Sequence, residues 1–346
     1  MSNEIKYHLF GIVDSNSEQM GGIEFPVQLV QFNQLSAILY PASFTQEEMA
    51  DKNKLVCLLK TYQHTLESLR TIKTVLPAQL STLAFNQFDI VQMLNEYYNP
   101  LTFLLAKLVG KAEFEVQVSW TNIQQVLKQI AQSQEFIASM QTRCGIQNGN
   151  GVHVEDQIYV GKLLADAIEM KRKIITQEVI AILGPHASNF KTLPITDESL
   201  ASHISFLIDS NKEDFFFEQL EKFSKICEFS ELLKFKLVGP LVPYNFATIS
   251  INYLTGSEIE DYRSLLNLPN DLLSEKDLKK QMRGLALTCH PDKDKTQEEI
   301  FKKMMHGYKL FSSLLEKEPN KIIELAQYKD RYVLTIPSIS QELVSV

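Results

Sequence analysis

The sequence predicts an α+β protein: two blocks in which strands alternate with helices, a long helical connection between them, and an all-α helical hairpin near the C-terminus. Three observations carry this. Phe114 to Trp120 alternates apolar and polar residues, the period of a half-buried strand. Met49, Val56, Leu59, Leu66 and Leu69 recur at helical intervals between shorter apolar runs. Finally, two segments with matching apolar stripes flank His290-Pro291-Asp292-Lys293.

In chain order, Tyr7 to Val13 reads as a strand, and Phe25 to Leu29 and Leu35 to Tyr40 supply two more. A helix follows over 45–71, with Thr45 and Glu48 as a capping box. It must end before Pro77, which disfavours helical geometry in the preceding residue. Asn86 to Leu108 is helical again, broken near Asn99-Pro100, before the alternating strand. A first domain over 1–120 results. A helical pair fills 121–183, with helices at about 121–142 and 154–182 separated by the turn-forming Asn-Gly segment at 147–151. The second helix carries the stripe Ile158, Leu164, Ile168, Ile175, Val179 and Ile182.

The second α+β block spans 184–253: a strand from Ser202 to Ile208, and a helix from Asn211 to Glu228 with Phe215, Phe217, Leu220 and Phe223 inward. A strand from Phe235 to Val238, a turn at Gly239-Pro240 and a last strand from Phe246 to Ile251 complete it. Trp120, at the end of its strand, reads as a core residue whose indole N–H needs a partner.

The composition narrows the function. The 346 residues suffice for two or three domains, and 45% hydrophobic content with twenty Phe argues against disorder. A net charge of −8 gives no general affinity for nucleic acid. No apolar run is long enough for membrane insertion, and the N-terminus lacks the basic-then-apolar order of a signal peptide. Cys57, Cys144, Cys227 and Cys289 are far apart and form no Cys-x-x-Cys, which speaks against a disulfide framework or metal site and for a reducing, cytoplasmic location. There is no Gly-rich phosphate loop and no triad-like grouping, and His64, His153, His186 and His203 are scattered. The expectation is no enzyme, no catalytic residue and no cofactor.

Four segments together resemble the GvpF/GvpL family of gas-vesicle accessory proteins over about residues 1–253. They are Tyr7-His8-Leu9-Phe10-Gly11-Ile12-Val13, Thr74-Val75-Leu76-Pro77, the run from Gly110 to Trp120, and Gly239-Pro240-Leu241-Val242-Pro243-Tyr244-Asn245-Phe246. Ala78, Gln79, Leu80 and Ser81 depart from the Arg, Phe and Gly common in the family after the Leu-Pro, and Leu241 and Val242 from its closing Trp and Pro. The resemblance implies two α+β, ferredoxin-like domains and binding of the hydrophobic shell protein during vesicle assembly, without catalysis.

Residues from about 258 to 318 resemble the J-domain of DnaJ-type co-chaperones. Asp261-Tyr262 and Leu265-Leu266 fit its first short helix, and Ser274 caps a second in which Leu278, Met282, Leu285 and Ala286 face inward. Lys276, Lys279, Lys280 and Arg283 gather on the opposite face. Phe301, Met304, Tyr308 and Phe311 stripe the third helix. The resemblance implies that His290, Pro291 and Asp292, with the basic face of Lys279, Lys280 and Arg283, bind a DnaK-type ATPase chaperone. Gly284, Thr288-Cys289 and Gly307 depart from the family pattern. Residues 319–346 read as a tail or docking segment: a short helix, then a strand around Tyr332 to Ile336 that docks on a domain.

The combined expectation is a gas-vesicle assembly protein, cytoplasmic and associated with the vesicles, that recruits the chaperone to the shell subunit. The alternative is a J-domain adaptor for an unrelated client.

Overall fold

The computed structural model describes residues 7–15, 27–41, 51–80, 82–84, 86–144, 154–226, 230–289, 295–317, 322–324 and 331–335. They fall into two compact units, one formed by 1–109 with 246–346 and the other by 110–245. The sequence reading placed the strand from Phe246 in the second block and residues 258–318 in a domain of their own, whereas 246–346 here belongs to the first unit. The segment ending at Trp120 belongs with the second unit, where both of its sheet neighbours lie.

The first unit opens with β1 (Tyr7–Asp14), β2 (Gln28–Phe32) and β3 (Leu35–Pro41). Helix α1 (Lys52–Arg70) starts at an Asp51 cap that accepts from Asn53 N–H at 2.9 Å, and the expected Thr45–Glu48 box lies outside the described residues. Then come β4 (Val75–Pro77), β5 (Leu83–Ala84), α2 (Gln87–Glu96) and α3 (Tyr98–Leu108). The break between the last two falls at Tyr97, not at Asn99-Pro100. Pro100 sits in the first turn of α3, where its missing N–H breaks no helical bond. The sheet is antiparallel in the order β2-β3-β1-β4, with β5 also on β1. Leu9, Ile12, Leu39 and Leu76 meet Met93, Leu94, Leu101 and Leu104 in its core.

The second unit holds β6 (Lys111–Trp120), α4 (Ile123–Ala131), α5 (Gln134–Cys144) and α6 (Val154–Leu183). The expected single helix over 121–142 is split at Gln132 and Ser133, where Ser133 Oγ accepts from Phe136 N–H. Residues 147–151 lie outside the described residues. There follow β7 (Asn189–Thr192), absent from the sequence reading, β8 (Leu200–Asp209), α7 (Glu213–Ile226), β9 (Leu233–Leu241) and the single turn α8 (Tyr244–Ala247), which straddles the boundary between the units. The strand order β7-β8-β6-β9 gives a β-α-β-β-α-β path, and the first sheet has the same second-third-first-fourth order. The two blocks therefore share a sheet plan.

Side-chain placement corrects three further readings. On α7, Phe216 is buried with Leu220 and Phe223, while Phe215 is 49% exposed. On α6, Ile175, Val179 and Leu183 are buried but Ile158 is 68% exposed. Trp120 is in the core as expected, yet its Nε1 finds no hydrogen-bond partner among the described residues.

After β10 (Ser250–Leu254), where the sequence reading placed the end of a strand from Phe246, the first unit continues with α9 (Gly256–Leu265), β11 (Leu272–Ser274), α10 (Glu275–Cys289) and α11 (Glu298–Lys317). β12 (Ile322–Glu324) and β13 (Arg331–Thr335) end the described chain. In the stretch where a short helix was expected after residue 320, residues 322–324 form a strand and 325–330 lie outside the described residues. The segment from 256 to 324 has its own core of Ile259, Leu266, Leu273, Leu278, Met282, Met304, Phe311, Leu314 and Ile323. It is not all-α, because β11 and β12 pair antiparallel beneath the helices.

Candidate functional site

Two places concentrate chemistry. The first is inside the second unit. Glu113 faces away from the apolar core on β6, between the core residues Ala112 and Phe114, and is nonetheless fully buried. Every donor it meets is neutral. Ser205 Oγ donates to Oε1 at 2.8 Å, Asn245 N–H to Oε2 at 2.9 Å, and Asn245 Nδ2 to Oε1. Burial pushes the Glu113 carboxyl above its ordinary range, the three hydrogen bonds pull it back, and nearby Glu115 adds to the upward push. Glu115 itself meets His203 Nε2 at 3.0 Å.

The carboxylate thus ties the run beginning at Gly110 to the segment Gly239–Phe246, two of the four stretches that carried the family resemblance. Gly239-Pro240 is not a turn after a strand, as the sequence suggested. Both residues lie within β9, where the register with β6 slips between Glu113 and Glu115. Gly239 has φ of 146°, and a Cβ there would stand 2.5 Å from Phe114 Cδ1 and 2.9 Å from the Glu113 carbonyl oxygen. Only glycine fits that approach. The bulge, the glycine and the Asn245 lock form one device, and its role is architectural.

The second place is the helical module. Thr255 and Glu258 form a reciprocal capping box at the start of α9, with Thr255 N–H donating to the carboxylate at 2.9 Å. Ser274 caps α10 as read, its Oγ accepting from Asp277 N–H at 3.2 Å. Leu278 and Met282 are buried and Leu285 and Ala286 pack beside them, facing Met304 and Phe311 with Phe301 and Tyr308 alongside. Gly307 explains a departure noted in the sequence. A Cβ on it would lie 2.9 Å from Tyr262 Cδ1 and 3.2 Å from Leu266 Cδ1, so α9 could not sit this close to α11. Gly284 has open space around its missing Cβ, and no packing reason for it is present.

Lys276, Lys279, Lys280 and Arg283 are all exposed on α10. Lys279 is tied to Glu275, which raises its pKa. Lys276, Lys280 and Arg283 have no carboxylate partner among the described residues, so the face keeps a net positive field. Leu287, 69% exposed, lies one turn beyond Arg283. His290, Pro291 and Asp292 lie outside the described residues; α10 ends at Cys289 and a helical turn resumes at Lys295. Among the described residues no group of His, Cys, Asp and Glu could hold a metal ion, and no helix is long and apolar enough to cross a membrane.

The sequence reading located the basic face but assigned nothing to Glu113. The available signal was a Glu two residues into an otherwise apolar-alternating strand, together with an Asn beside Pro-Tyr near its end. Neither residue names the other from sequence.

The model of the gas vesicle synthesis protein GvpL/GvpF family matches residues 6–248. Among solved structures, the chain is similar to the gas vesicle protein GvpF from Anabaena sp. PCC7120, with 22% identity, a TM-score of 0.57, and coverage of 70% of this chain and 98% of that one. It is also similar to gas vesicle protein GvpF from Microcystis aeruginosa, with 21% identity, a TM-score of 0.55, and coverage of 70% and 99%. No curated protein matches the chain. The matched family segment ends before β10, which leaves the helical module outside it.

Proposed function

The chain belongs to the gas vesicle synthesis protein GvpL/GvpF family, and from that premise we propose that it assists vesicle assembly by binding the hydrophobic shell subunit and bringing a DnaK-type ATPase chaperone to it. The family is one of vesicle synthesis proteins and not a known enzyme family. The first part of the proposal rests on the family and on a fold that carries its two sheets.

The second part rests on one observation. α10 presents Lys276, Lys280 and Arg283 without acidic partners, on a helix whose other face is packed against α11, and it leads directly into His290-Pro291-Asp292. The basic face speeds encounter with an acidic chaperone surface, and the tripeptide makes the contacts that bias the partner toward hydrolysis. Pro291 fixes its own φ and removes one backbone donor, restricting how His290 and Asp292 are presented. Carrying client site and recruiter on one chain raises the effective concentration of chaperone at the shell subunit.

The test uses the full chain. Co-expressed with a small gas-vesicle shell protein, it is expected to co-purify with it. Added to a DnaK-type chaperone, it is expected to raise ATP hydrolysis, and His290→Gln is expected to abolish that stimulation while leaving shell capture intact. Stimulation that is absent, or unchanged by His290→Gln, would remove the chaperone arm. Failure to capture shell protein would remove the other.

A further inference from the structure

The two strands that flank the helical module are far apart in sequence and adjacent in space. β10 and β13 pair antiparallel over five residues, from Ser250 opposite Thr335 to Leu254 opposite Arg331. β10 is in turn anchored to the first sheet. Ile249 N–H donates to the Pro77 carbonyl at 2.8 Å, Gln79 N–H donates to the Ile249 carbonyl at 2.7 Å, and Ile249 and Ile251 are buried in the first core. The chain therefore leaves the first sheet at Leu254, folds the module and returns to the place it left.

The module does not need that return to close its core. Ile323 on β12 already fills the space beside Leu273, and β12 pairs with β11 residue for residue from Leu272–Glu324 to Ser274–Ile322. β13 follows β12 in the chain, packs on α11, and has β10 as its sheet partner. A five-residue strand paired on one side only, in a two-stranded sheet, belongs to the part of a structure that opens at least cost.

We infer that β13 is a latch. Seated on β10, it ties both ends of the helical module to the edge of the first sheet and fixes the direction in which α10 points. Released, it leaves the module folded but held by the single connection at Thr255, free to swing. The latch is independent of which partner the module binds, because β13 pairs with β10 and packs on α11 and α2, all within the chain.

Hydrogen exchange read by mass spectrometry on the full chain tests this. Val333→Pro removes a backbone donor from the middle of β13. Exchange at residues 250–254 is then expected to quicken by about tenfold or more. Residues 275–289 and the second-unit control 111–120 should keep their protection. Unchanged exchange at 250–254 would overturn the latch. So would an equal loss of protection over 275–289, since β13 would then be part of the module's fold. A second variant serves if Val333→Pro unfolds the chain. With Asn252→Cys and Val333→Cys, opposite each other in the register, oxidation should form an intrachain disulfide that slows exchange at 331–335. A pair that does not cross-link would equally overturn the proposal.

Discussion

Glu113 on β6 and the pair Lys280 and Arg283 on α10 are charged side chains on regular elements, and they are handled in opposite ways. The carboxylate is fully buried and surrounded by neutral donors placed to receive it. The two cations are exposed and meet no acid among the described residues. A buried charge is tolerable only when its hydrogen bonds are made within the fold, so Glu113 has spent its capacity on architecture. Exposed, unpaired charges hold their capacity for something outside the chain. If the α10 face acts in recognition as proposed, variants at the two places should have separable effects.

The largest effect is expected at the bulge. Gly239→Ala puts a Cβ against the Phe114 ring at a φ that L residues rarely adopt. Backbone strain and overpacking together should cost about 4 kcal/mol, seen as a shifted urea midpoint. The helical module should keep its exchange protection, because its core shares no residue with the second unit.

Glu113→Ala comes next. It leaves the Ser205 hydroxyl and both Asn245 donors without their acceptor, at a cost of about 3 kcal/mol. Glu113→Gln should cost less and leave a signature in pH. Because burial raises the folded-state pKa, this group contributes stability that is fully present below the unfolded value of about 4.3 and is lost as pH rises through the folded value. In urea unfolding across that window, the parent chain should lose stability with rising pH relative to Glu113→Gln, whatever slope the other carboxylates give both chains. Equal slopes would mean that the carboxylate is as well solvated in the fold as outside it.

How far these features were legible in the sequence follows from the range of the forces that set them. The β6 alternation, the Ser274 cap and the stripes on α10 and α11 are written in residues a few positions apart, and the structure places them as read. The Glu113–Asn245 tie spans 132 residues and depends on a bulge that no local pattern announces. Gly239-Pro240 looked like a turn because those residue types favour turns, and here tertiary packing of the Phe114 ring overrode the local preference. The strand Ile322–Glu324 was missed for a related reason, since it pairs with β11, about fifty residues earlier in the chain. Gly307 stood out only as a departure from the family pattern and is a packing requirement set by Tyr262.

The exposed charges should give the converse result. Lys280→Glu combined with Arg283→Glu changes no buried contact, so the thermal midpoint should stay within about 2 °C. Association with the chaperone should slow by about tenfold at low ionic strength, and that difference should shrink as salt is added. A destabilised fold, or a salt-independent loss, would show that the face is structural after all.

The smallest effect has the opposite sign. Gly284 lies inside α10, one residue beyond Arg283, with open space where its Cβ would be and no positive φ. Glycine in an exposed helix interior costs up to about 1 kcal/mol relative to alanine, largely through the backbone freedom it surrenders on folding. Gly284→Ala should therefore stabilise the module by about 0.5–1 kcal/mol, measured as slower exchange over 275–289. Because the added methyl touches nothing, chaperone stimulation should be unchanged if the helix acts only as a rigid support for its charges. If stimulation falls while the helix is stabilised, fraying of α10 near Cys289 is itself part of recognition. Gly284 would then be retained for the freedom it gives the segment leading to His290.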